Sequence, residues 1–136
     1  MFEVFDHTAD LGLRIQSADL NGLFVDAGRA LLSVIVSEPN AVESRESVTL
    51  QIAANELEYV FFDWLNELLY LFESKRFLAR EFEAAVEESG LSAIVRGEMY
   101  DPARHVLAHE VKAVTYHGLT VEQASDGWRA EVILDI

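Results

Sequence analysis

The sequence predicts an α+β domain, two amphipathic helices packed on a mostly antiparallel or mixed β-sheet in a sandwich. Two stretches carry apolar residues at helical spacing, and nearly everything else alternates like half-buried strand. Short turns separate the strand-like runs, and a clear hairpin signal lies near the C-terminus, which favours antiparallel pairing. At 136 residues the chain suits a single domain spanning 1–136.

The elements follow in order. Residues 2–5 and 11–15 alternate as two strands, or as one strand interrupted by the polar stretch Asp6-His7-Thr8-Ala9-Asp10. Apolar side chains at 20, 23, 24, 27, 31, 34 and 35 then mark a helix, with Asp19 or Ser17 as its N-cap. Gly22 and Gly28 weaken that helix, each by up to ~1 kcal/mol relative to Ala, and Pro39 closes the segment. Residues 48–52 alternate as a strand. Asn55 followed by Glu58 has the form of a capping box, opening a helix with apolar residues at 57, 60, 61, 64, 65, 68, 71 and 72. Downstream, 77–88, 91–99, 109–116 and 128–134 read as strands, with turns at Ser89-Gly90, Asp101-Pro102 and Asp126-Gly127. The last of these joins the strand-like runs 119–123 and 128–134 as a hairpin.

Composition narrows the function classes. With no cysteine, disulfides, thiolate metal sites and a cysteine nucleophile are excluded. The absence of a long apolar run and of a secretory leader pattern makes a cytoplasmic protein the expectation. A net charge of −14 repels phosphate backbones, so direct binding to nucleic acid is not expected. Such acidity suits a basic protein surface or a divalent cation, and it serves solubility equally well.

Several constellations carry chemistry. Asp6 and Asp10 are four apart, so in a strand they would share a face and in a turn they could converge. Their oxygens suit Ca²⁺ or Mg²⁺, although two carboxylates do not fill such a shell. The plainer reading is a turn in which both bond backbone amides. At the other end, the apolar run Val132-Ile133-Leu134 leads to Asp135 and Ile136, whose α-carboxylate would lie beside the aspartate. If that end is tied into the core, its anions need a counter-charge, which a metal shared with the N-terminal aspartates would supply. His105 and His109 suit a zinc-binding helix face only if their segment is helical, and Asp101-Pro102 argues that it is not. His117 holds a turn carbonyl or acts in general acid–base chemistry. Tyr70, Phe72 and Phe77, after the second helix, serve either a partner or the core. No nucleophile-elbow or phosphate-loop motif occurs.

Four stretches taken together resemble the archease family: Asp-His-Thr-Ala-Asp-Leu-Gly at 6–12, Trp64-Leu65-Asn66-Glu67-Leu68-Leu69-Tyr70-Leu71-Phe72, Glu110-Val111-Lys112-Ala113-Val114-Thr115-Tyr116-His117-Gly118, and the Asp135-Ile136 end. Gly22 and Gly28 depart from the family's pattern. The resemblance implies a small acidic accessory protein of the RtcB-type RNA ligase, which joins tRNA halves in tRNA splicing. It implies a protein that is not itself an enzyme and that promotes ligase guanylylation and multiple turnover. It further implies a divalent cation, usually assigned as calcium, held here by Asp10, Asp135 and the Ile136 carboxylate, with Asp6 a less certain neighbour. Two rival readings are a small metal-dependent phosphoester hydrolase with His7 as base, and an acidic chaperone-like protein-binding module.

Overall fold

A computed structural model describes all residues, 1–136. The chain runs β1 (Phe2–His7), β2 (Asp10–Ser17), α1 (Leu20–Ile35), a 3₁₀ turn at Pro39–Ala41, β3 (Glu46–Ala53), α2 (Leu57–Lys75), β4 (Phe77–Glu87), β5 (Gly90–Met99), β6 (Ala113–Ala124) and β7 (Gly127–Asp135). The α+β class is as the sequence predicts. The strands, however, form two sheets, one of order β1-β2-β7-β6 and one of order β3-β5-β4, and every pairing is antiparallel.

The helices lie between the sheets. α1 packs on β2 of the four-stranded sheet and β4 of the three-stranded one, while α2 packs on β6 and β4. A helix with sheets on two sides needs a wide apolar face, and α1 accordingly buries Leu23, Phe24, Ala27, Gly28, Ala30, Leu31, Leu32, Val34 and Ile35 while Asn21 and Arg29 stay exposed. Gly28 has a packing reason: a Cβ there would lie 2.7 Å from the Phe82 ring of β4. The helices are joined by the buried Trp64 indole, which donates to the Phe24 carbonyl at 2.8 Å. The buried indole N–H left without that acceptor would cost about 1–3 kcal/mol.

The helix starts differ in how far they follow the sequence. Asp19 caps α1, accepting from the Gly22 amide at 2.6 Å. At α2 the capping box does not form: Glu56 occupies the cap position without a side-chain bond, and the Asn55 side chain accepts from the Glu56 amide instead. The segment 109–112 is not strand, because the His109 amide is taken by the Val34 carbonyl at the end of α1. β6 starts at Ala113 and absorbs the run expected at 119–123.

The join between those two parts of β6 is an enlarged bulge. Thr115 pairs with Ile133 and Thr120 with Glu131, so Tyr116, His117, Gly118 and Leu119 stand opposite Val132 alone. Gly118 takes φ +64, a left-handed conformation that glycine enters without the Cβ clash. Bulges re-aim side chains, and this one sends Tyr116 over α2 and His117 toward His7. No helix is long and apolar enough to cross a membrane.

Candidate metal centre

The polar stretch near the N-terminus is a hairpin tip. His7 pairs with Asp10 across the two-residue turn Thr8-Ala9, and Thr8 takes φ +54. A β-branched residue rarely adopts that conformation, which costs on the order of 1–3 kcal/mol and persists only where the surroundings enforce it. Here the β1–β2 ladder enforces it.

This turn corrects the expectation that Asp6 and Asp10 share a face. They belong to different strands, and Asp6 pairs with Leu11 while Asp10 pairs with His7. Directly paired residues point to the same side of a sheet and neighbours along a strand point to opposite sides. Asp6 therefore lies on the other face from Asp10, and His7 is the residue that accompanies Asp10. The His7 Nδ1 atom stands 4.0 Å from the Asp10 carboxylate, has no hydrogen-bond partner and is shielded from solvent.

The two distant ends meet through the β2–β7 ladder. Its outermost pair is Leu11 with Leu134, so one step further the register sets Asp10 beside Asp135 on the same face. The Asp135 backbone is fixed from its other side, pairing with Ala113 and accepting from the Lys112 amide at 2.7 Å. Asp135 is exposed and Asp10 half-buried, while the Ile136 side chain packs on the hydrophobic core. Neither aspartate forms an ion pair with a lysine or arginine, and His7 is the only basic partner of Asp10. No three His, Asp or Glu side chains converge on a common point. Side chains alone thus offer a partial oxygen shell of uncompensated negative charge. A hard divalent cation suits it if the Ile136 carboxylate and further oxygens complete it.

The remaining candidates separate clearly. His117 makes no bond to a turn carbonyl, and its exposed ring lies 5.6 Å from that of His7. His109 is exposed and His105 buried, in a non-helical segment, so they do not form a zinc pair. Of the three aromatic residues, Phe77 is core, Phe72 packs on it, and only Tyr70 is well exposed.

One cluster was invisible in the sequence pattern. Glu98 is buried on β5, paired with Arg104 and 3.0 Å from His105 Nε2, and it accepts from the Glu43 amide at 2.6 Å. His105 Nδ1 accepts from the Asp101 amide at 2.9 Å, which leaves Nε2 to donate to Glu98. Burial alone would push the Glu98 carboxyl up, but Arg104, the Glu43 amide and His105 outweigh it and hold it down at about 2. The cluster anchors the 101–112 connection; Glu98, Arg104 and His105 are close in sequence but meet through an irregular turn that follows neither helical nor strand spacing, and Glu43 joins from 55 positions away.

A two-sheet α+β sandwich whose first hairpin and last strand bring two aspartates together without a lysine or arginine partner defines the class, a small acidic α+β domain. The sequence profile of the Archease protein family (MTH1598/TM1083) matches residues 2–136. The protein archease of Methanosarcina acetivorans is 36% identical over 140 residues, covering 99% of this chain and 95% of that protein. The protein archease of Pyrococcus abyssi is also 36% identical, with 99% and 98% covered. Among solved structures, protein 1598 of Methanobacterium thermoautotrophicum superposes with a TM-score of 0.84 at 30% identity, over 99% of this chain and 98% of that one. An archease from Thermotoga maritima, described as a possible chaperone, shares the fold with a TM-score of 0.66 at 23% identity, covering 100% and 98%. The chain belongs to the archease family.

Proposed function

We propose that this chain is an archease-type activator of an RtcB-type RNA ligase, binding a divalent cation, calcium, through Asp10, Asp135 and the Ile136 carboxylate. It is an accessory protein without catalysis of its own, and it promotes guanylylation and multiple turnover of the ligase in tRNA splicing. The observation that carries the reading is the β2–β7 register, which sets Asp10 beside Asp135 with no cationic side chain to neutralise them. A bound cation would supply positive charge there. The chain's part is to hold the carboxylates at one end of a rigid ladder, with His7 alongside, and to present that end to the partner. Promotion of one ligase state requires preferential binding to that state.

A protein-binding role also accords with the description of the Thermotoga relative as a possible chaperone. The test is to combine the purified protein with the cognate ligase, GTP, a divalent metal and cleaved tRNA. The native protein raises multiple-turnover ligation, and Asp10→Ala abolishes most of that gain. Equal turnover with and without the native protein refutes the reading.

A further inference from the structure

The β6 bulge and the first half of α2 build a surface that the cation site does not use. Tyr116 stacks on Phe62, with ring centroids 3.9 Å apart and planes at 13°, and meets Tyr59 edge-on at 5.7 Å. Phe62 packs on the core, but core packing does not account for the two tyrosine rings, since Tyr59 is 43% exposed and Tyr116 52% exposed. Glu56 and Glu58 line the same shallow depression as the two tyrosines. Asp63 lies close enough that, after lost water contact, its charge helps raise the Tyr116 phenol above the usual value. None of these three carboxylates has a lysine or arginine partner.

Unneutralised carboxylates beside aromatic faces suit a cation that is also flat or apolar in its stem. Arginine stacks on tyrosine while bonding carboxylate, and lysine places its ammonium over the ring. Tyrosine clusters of this kind are common anchors in protein interfaces. Nucleic acid and anionic lipid surfaces would be repelled here. A second copy of this chain carries the same net charge of −14, which disfavours self-association through this ledge.

We infer that the Tyr59–Phe62–Tyr116 ledge, with Glu56, Glu58 and Asp63 at its rim, receives an arginine- or lysine-bearing segment of the partner protein; this rests on the ligase-activator reading above. Its position supports the assignment. His117, next to Tyr116 in the chain, has its ring 5.6 Å from that of His7, the residue that accompanies Asp10, so one bulge carries both the ledge and a neighbour of the carboxylate end.

The test measures binding of the full-length protein to the cognate RNA ligase by calorimetry at two salt concentrations, together with calcium affinity. Tyr59→Ala combined with Tyr116→Ala weakens ligase binding by about tenfold or more and leaves calcium affinity unchanged. Glu58→Gln combined with Asp63→Asn keeps the rings, also weakens binding, and flattens its salt dependence. If the native protein binds the ligase and both double variants bind as tightly, the ledge assignment is overturned while the activator reading stands. If the native protein shows no binding, both are overturned.

Discussion

At the residue scale, Glu98 is a buried carboxylate whose charge is fully engaged. Its folded pKa of about 2 lies below the ordinary carboxylate value of 4.5, so the folded state favours the ionised form. Its stabilising contribution is therefore complete above the ordinary value and is lost as pH falls from about 4.5 toward 2. Thermal melts across that range should show the native protein losing stability more steeply than Glu98→Gln. At neutral pH the substitution strips the partly exposed Arg104 of its partner and weakens the contacts to the Glu43 amide and His105, so the variant melts at a lower temperature. Parallel melting curves for the two proteins from pH 5 to 2 would contradict this account. Thr8 shows the opposite relation, a residue kept in a conformation its own side chain disfavours at the tip that carries the candidate site.

At the level of elements, Gly28 inverts the usual rule for helices. Glycine to alanine in a helix interior ordinarily gains up to about 1 kcal/mol. Here the added methyl meets the buried Phe82 ring, which is itself held edge-on against Trp64 with centroids 6.0 Å apart. Gly28→Ala should accordingly lower stability by about 1–3 kcal/mol in denaturant melts, with partial recovery when Phe82→Leu is added. The sequence showed Gly28 only as a weak point because the ring that needs it lies on another element. The apolar stripes located both helices and alternation located most of the strands, since both patterns are local, though it left β1 and β2 open as one interrupted strand and divided β6 in two. What was not local was lost: the capping box at Asn55 failed because Glu56 took the cap position, and the 109–112 run was diverted by carbonyls at the end of α1. The division into two sheets depends on what α1 and α2 touch on their far sides, which no single stretch records.

Across the whole molecule, the candidate cation site was half legible. Asp10 and Asp135 stood out as carboxylates at the ends of apolar strands, and the ladder sets them side by side. Asp6, the less certain neighbour in the sequence, is sent to the other face by the turn at Thr8-Ala9. On the proposed ligand set, adding a few residues after Ile136 converts its carboxylate to a neutral peptide carbonyl and moves the negative charge away. Calcium affinity should then fall on the order of tenfold or more, about as much as in Asp135→Ala. Equal calorimetric affinity for extended and native chains would remove Ile136 from the site.

The pairing of β2 with β7 also sets a schedule. β2 is the second of the seven strands to be made, yet its neighbour β7 is the last of the seven. Closing so long a loop is entropically slow and waits on the segments between. A chain still being translated can hold its first hairpin, but the space beside Leu11 stays empty until β7 arrives. The carboxylate end is therefore assembled late, and any chain truncated before β7 lacks it altogether.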